Sequence, residues 1–289
     1  MTPLRQKLID EIQLRGFSPH TQDSYVRTVT GLARYYHRSP DRINDDELKA
    51  YLLYLLREKK LACSSLIVAV SGLRFFFGKV LHRSTTAIEQ ALPQMKKPVL
   101  RPKVYSVQEL ERFFKCPLLN RRHRALFMTT YAAGLRVSEV CQLRVADLQS
   151  DRNQIRVVQG KGKKDRYTLF SPQLVEELRA YWRLYHPKEW LFPSTLFPDR
   201  PLTRTAVERA FVDAVERAKL PDRGGPHSLR HSFATHLLEA GVDPLTLQRL
   251  LGHSSLRTTT TYLHVRQERL AHISSALDLI DFSRAKQAA

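Results

Sequence analysis

Near the C-terminus the chain reads His227-Ser228-Leu229-Arg230, then Leu251-Gly252-His253, then Tyr262. Ahead of these lie two basic elements, Gly134-Leu135-Arg136-Val137-Ser138-Glu139 and Gly160-Lys161-Gly162-Lys163-Lys164-Asp165-Arg166. Two arginines, a lysine and two histidines supply hydrogen-bond donors and proton carriers, and one tyrosine supplies an oxygen nucleophile. A metal-free attack on a phosphodiester needs this set: charge neutralisation, a proton for the leaving oxygen, and a covalent intermediate. His227 and Arg230 are three residues apart, so at a helix start they share a face, and Pro226 helps to fix that start. His231 and His236 lie nearby but off this spacing and read as structural.

Composition supports a polyanionic partner. The 289 residues carry a formal net charge of +19, spread along the chain rather than held in one run. Hydrophobic residues make up 43%, enough for packed cores, so a disordered basic tail is excluded. No apolar run of membrane-spanning length is expected, because the longest are broken by Arg or Lys, and the N-terminus lacks the apolar segment of a signal peptide. Cys63, Cys116 and Cys141 are far apart without metal-ligand spacing, which predicts free thiols in a reducing compartment.

The elements that must position these residues follow from caps and periodicity. Residues 1–95 are predicted to be a helical bundle of about four helices. Ser18-Pro19 and Asn44 with Glu47 are start signals, and Leu66, Val70, Leu73, Phe77 and Leu81 form one stripe of a helix opened by Ser64-Ser65. Residues 96–104 read as a basic, proline-interrupted linker in which Lys96, Lys97, Arg101 and Lys103 suit contact with a DNA backbone. From 105 to 289 a second domain is expected. Ser106 with Glu109 caps its first helix, and an apolar helix over 121–133 ends at Gly134. Residues 155–158 and 167–170 form a β-hairpin around the Gly/Lys-rich turn, and helices follow at 172–185, 204–219, 228–240, 244–251, 255–263 and 265–281. The fold class expected is mainly α with a small β-hairpin in the C-terminal domain; that the two domains form a clamp around duplex DNA is implied only by the family resemblance that the motifs carry.

The order of an Arg motif, a hairpin lysine, His-x-x-Arg, Leu-Gly-His and a tyrosine nine residues on resembles the tyrosine recombinase (phage integrase-like) family. That family includes the Xer recombinases and the integron and transposon-borne integrases, and the resemblance covers essentially the whole chain. It implies that Tyr262 is the nucleophile and that Arg136 and Arg230 hold the scissile phosphate, a guanidinium being a planar fork that stays charged at working pH. His253 hydrogen-bonds the phosphate and His227 acts in proton transfer with the tyrosine hydroxyl. Lys161 protonates the departing 5′ oxygen, its pKa lowered by Lys163, Lys164 and Arg166, which also read as DNA-binding residues; Lys163 is the runner-up for that role. Glu139 either holds an Arg or His in place or is a surface carboxylate. The four threonines before Tyr262 are poor helix formers, which predicts a locally weak segment there.

The reaction implied is strand exchange through a 3′-phosphotyrosyl link, with no metal and no cofactor. The chain has no P-loop, and no carboxylate cluster of a two-metal nuclease is evident. The partners implied are double-stranded DNA and three further copies of the chain, a homo-tetramer on two synapsed sites that is a monomer or weak dimer when free, with room for a second recombinase. No membrane partner is expected, and the setting is the bacterial cytoplasm. A type IB topoisomerase-like relaxase and a non-catalytic DNA-binding protein are the alternatives. The helical N-terminal part resembles integron or transposon-borne integrases more than Xer proteins, and no arm-binding domain of the larger phage integrases is expected.

Overall fold

The computed structural model describes residues 2–93, 95, 102–158 and 165–262. The chain divides into two compact units, 1–100 and 101–289. The first holds α1 (Pro3–Leu14), α2 (Pro19–Tyr36), α3 (Asp45–Arg57), α4 (Cys63–Phe75) and α5 (Thr85–Ala91). Local chemistry sets the starts. The Ser18 hydroxyl accepts from the Thr21 N–H, and Asn44 with Glu47 forms a reciprocal capping box, so donors that a helix start leaves bare are satisfied. The α4 stripe is buried at Leu66, Val70, Leu73 and Phe77, and the helix begins at Cys63 rather than at the serines. It runs on into a π-helical turn, Phe76–Val80, which turns both Phe76 and Phe77 into the core.

This same stretch corrects one expectation. Cys63–Val80, 18 residues with a mean hydropathy of 1.4, is long and apolar enough to cross a membrane. Half of it is buried inside the N-terminal unit, where it packs on α2 and forms the centre of that unit's core. Its hydropathy is that of a core helix in a bundle.

The second unit starts where the Tyr105 N–H donates to Ser232 Oγ at 2.9 Å, tying the incoming chain to a later helix. Its helices are α6 (Val107–Lys115), α7 (Arg121–Ala132), α8 (Val137–Cys141), α9 (Pro172–Tyr185), α10 (Arg204–Arg217), α11 (His227–Glu239), α12 (Pro244–Leu251) and α13 (Leu256–Thr259). The hairpin is β2 (Gln154–Val157) against β3 (Arg166–Leu169), antiparallel, with Arg156 opposite Tyr167. A two-residue strand, β1 (Leu148–Gln149), adds a third member through Leu148 opposite Ile155. The helix expected over 204–219 ends at Arg217, and the one expected over 255–263 ends at Thr259. The helix expected over 265–281 lies outside the described residues.

Two apolar clusters fill this unit. The larger joins α6, α7, α9 and α10 to the sheet through Phe113, Phe127, Phe192 and Phe211. The smaller gathers Phe233, Ala234, Leu238, Leu247, Leu251 and Tyr262 and locks α11 to α12. Gly134 sits where the two meet, after α7, at φ +59°. A Cβ there would lie 2.4 Å from the Phe233 ring, so the chain passes α11 only because the residue has no side chain.

Candidate active site

The C-terminal end of α12 organises the site. Its last carbonyls have no partners within the helix and carry the negative end of the helix dipole. Three guanidinium groups converge on them: Arg166 Nε donates to Leu250 O at 2.8 Å, Arg230 Nη2 to Leu251 O at 2.6 Å, and Arg136 Nη2 approaches Gly252 O at 3.5 Å. Gly252 reverses the chain at φ +61°, and a Cβ there would stand 2.7 Å from Arg166 Cδ. The Leu-Gly-His motif thus reads as a helix terminus shaped to receive arginines, with His253 delivered next.

Glu139 binds the same three arginines from the other side. Its carboxylate accepts from Arg136 Nη1 at 2.6 Å and from both terminal nitrogens of Arg166 at 2.8 Å, and lies 3.5 Å from Arg230 Nη1. Burial alone would raise its pKa, but the Arg166 fork, the Arg136 N–H and the Arg230 charge win and hold it at about 2. Three cations against one anion leave a net charge of about +2, which suits a site for a phosphate diester.

Arg230 is 4% exposed and also donates to Gly134 O at 2.7 Å and to His253 Nε2 at 3.1 Å. Burial, then the neighbouring Arg136 charge, lowers its pKa to about 9, which leaves it charged at neutral pH. Because a guanidinium only donates, His253 Nε2 must accept, so its proton sits on Nδ1 and is donated to Thr259 Oγ1 at 3.0 Å. Thr259 is fully buried, so α13 fixes the orientation of this imidazole.

Arg136, His227, Arg230, His231, His253 and Tyr262 line one cavity of about 330 Å³, with Ser254 and Thr258 at its edge. His227, the first residue of α11, is open to solvent as a whole residue; partial desolvation of its ring, then the Arg230 and Arg136 charges, lowers its pKa. Tyr262 is 4% exposed, and burial raises its pKa against the opposing pull of Arg230 and Arg136. A wider groove of about 970 Å³ shares Arg136 with this cavity and carries Arg144, Arg156 and Arg204 along its walls.

Two expectations change. Arg166 was expected to contact DNA, but its side chain is 9% exposed and its nitrogens are committed to Glu139 and Leu250. The strand directs it inward, where it is structural. The resemblance placed His227 at the tyrosine hydroxyl, and His231 was read as structural. The structure instead puts His231 Nδ1 2.7 Å from Tyr262 Oη. The signal was present: His231 follows His227 by four, one turn along the same face. His236 pairs with the Tyr131 hydroxyl at 2.9 Å. Lys103 is exposed ahead of α6. Lys96, Lys97, Arg101, Lys161, Lys163 and Lys164 lie outside the described residues.

Comparisons with known proteins agree with this geometry. Residues 104–269 match the phage integrase family and residues 4–87 match the phage integrase N-terminal SAM-like domain. A putative integrase/recombinase of Sinorhizobium fredii is 46% identical over 97% of this chain and 90% of its own length. Tyrosine recombinase XerA of Thermococcus kodakarensis is 34% identical, with 93% of each chain covered. A lambda integrase tetramer bound to a Holliday junction shares the fold at 20% identity and a TM-score of 0.72, over 90% of this chain and 76% of that one. Fold and site together define an enzyme that breaks and rejoins DNA. The chain belongs to the phage integrase family, and its function is that of a tyrosine-type, site-specific DNA recombinase or integrase.

Proposed function

We propose that Tyr262 attacks a DNA phosphodiester held by Arg136 and Arg230, forming a 3′-phosphotyrosyl bond and releasing a 5′ hydroxyl that the next strand's hydroxyl later replaces. The observation that carries this reading is the single cavity in which the Tyr262 side chain meets both arginines and His253. Charge builds on the non-bridging oxygens as the phosphorus becomes five-coordinate, and the fixed guanidinium donors of Arg136 and Arg230 stabilise it without reorganising. Arg136, with 19% of its side chain exposed, faces the cavity and the wider groove alike, so it is the clamp that meets incoming phosphate first. Lys161 donates the proton to the leaving 5′ oxygen. No external energy source is required, because the phosphotyrosine conserves the bond.

Duplex DNA occupies the groove lined by Arg144, Arg156 and Arg204, and Lys103 contacts its backbone. On DNA the active assembly is a homo-tetramer on two synapsed sites, alone or with a second recombinase, working in the bacterial cytoplasm. The test is a suicide-substrate assay with nicked duplexes drawn from the DNA flanking the gene's own element and no added metal. Wild type is expected to yield a protein–DNA band that survives denaturation. A Tyr262→Phe chain that still forms it would refute the assignment.

A further inference from the structure

Arg166 lines neither the Tyr262 cavity nor the wide groove, so it stands behind the site rather than in it. It opens β3 opposite Val157 and shares the inward face with Thr168, whose hydroxyl donates to Ala133 O at 2.8 Å. From there its guanidinium makes a two-pronged pair with Glu139, Nη1 to Oε1 and Nη2 to Oε2, each at 2.8 Å, while Nε donates to Leu250 O. Gly252 makes the room, since a Cβ there would also stand 3.1 Å from Nε and 3.2 Å from Nη1. One side chain thus joins β3, α8 and the end of α12.

These partners saturate Glu139, because a carboxylate offers about four lone-pair sites. Arg166 takes two, and Arg136 takes the others through Nη1 at 2.6 Å and its backbone N–H at 2.8 Å. Arg230 Nη1 therefore stays 3.5 Å from the carboxylate and donates instead to Gly134 O at 2.7 Å. We infer that Arg166 is a positioning residue for the reaction: by filling Glu139 it keeps Arg136 and Arg230 turned to the DNA phosphate, a role that rests on the reading of those two as the clamp. Without the fork, two acceptor sites on Glu139 open beside Arg230, and Leu250 O is left bare at the negative end of α12. Both draw the remaining guanidinium groups inward, away from the cavity.

Charge points the same way. Burial opposes ionisation of Glu139, and Arg166 is the foremost influence that overcomes it, ahead of the Arg136 N–H and the Arg230 charge. Arg166 and Glu139 cancel as a buried pair, with side chains 9% and 6% exposed. The charges of Arg136 and Arg230 are then left for a phosphodiester, which is negative in the ground state and more so in the transition state. With Arg166 gone, Glu139 would cancel one of them.

The experiment measures single-turnover cleavage by the whole chain as wild type, Arg166→Ala, Arg166→Lys and Arg136→Ala on three nicked suicide duplexes. One has the ordinary scissile phosphate, one a methyl group in place of a non-bridging oxygen, and one sulfur in place of the bridging 5′ oxygen. The methyl group removes the charge that the arginines hold, and a thiolate leaves without an acid. Arg166→Ala is expected to cleave the ordinary duplex about 100-fold more slowly, with duplex affinity retained. Its deficit should shrink to about tenfold or less on the methylated duplex and persist on the sulfur duplex. A deficit equal on the ordinary and methylated duplexes would mark a merely structural role and overturn the inference. Rescue by sulfur, which would put the effect on the leaving group, or wild-type cleavage by Arg166→Ala would overturn it too. Lysine keeps the charge but not the fork, so Arg166→Lys should show the same pattern with a smaller deficit. It carries the comparison if the alanine variant does not fold, and wild-type rates from it would also overturn the inference. Arg136→Ala separates the two readings: if its own deficit does not shrink on the methylated duplex, the clamp itself fails. If it shrinks there but the Arg166 deficits do not, the clamp stands and only the role of Arg166 is lost.

Discussion

Replacing Glu139 by glutamine tests the framework that holds the arginines. The carboxylate side chain is 6% exposed and faces three guanidinium groups. Its pKa falls from an ordinary 4.5 to about 2 in the folded chain. At about 1.36 kcal/mol per pH unit, that depression contributes about 3 kcal/mol to stability at pH 7. The sign follows from the direction: a depressed carboxyl stabilises fully above about 4.5 and loses the contribution as pH falls toward about 2. Glutamine cannot carry the charge, and its NH2 would face an arginine. Both tryptophans, Trp182 and Trp190, lie in the second unit, so their fluorescence follows its unfolding alone. In urea at pH 7, Glu139→Gln should be less stable by about 3 kcal/mol, or roughly 6–12 °C in Tm for a unit of this size. At pH 3 the gap should narrow by about 2 kcal/mol, because wild type alone loses the carboxylate term. A variant within about 1 kcal/mol of wild type at pH 7, or a gap that does not change with pH, would refute the reasoning.

Other predictions follow from the same geometry. Gly134→Ala forces a side chain into the Phe233 ring at positive φ and should cost about 2 kcal/mol or more by urea unfolding; a neutral substitution would contradict the close approach. Thr259→Val keeps the shape but removes the acceptor of His253 Nδ1, so single-turnover cleavage should fall by about tenfold with duplex affinity retained. Arg204→Ala, at the exposed start of α10 on the wide groove, should weaken duplex binding equally for all sequences and reduce the salt dependence by about one released counterion; a change confined to one target sequence would rule out a backbone contact.

What could be read from the chain depended on how local the cause was. Ser18, Asn44 and Ser106 mark helix starts because a cap and the amide it satisfies lie within three residues. The site residues announce themselves by type and spacing, and five of them meet in one cavity. Arg166 was not legible as a structural residue, because its partners Glu139 and Leu250 are 27 and 84 residues away and it closes a turn rich in lysine, with Lys163 and Lys164 just ahead of it. Strand β1 has two residues and exists only by pairing with β2, so it leaves no pattern of its own. His231 was hidden by its neighbour: the His-x-x-Arg spacing drew the role to His227, whereas the helical turn that brings His231 to Tyr262 needs the partner element in place.

The most direct measurement is peptide mapping of the covalent protein–DNA adduct formed on a nicked suicide duplex. The account predicts nucleotide attached to the peptide that contains Tyr262, through the 3′ end, with a free 5′ hydroxyl on the released strand that can be phosphorylated without prior dephosphorylation. Attachment to any other residue, or a 5′ phosphate on the released strand, would contradict it.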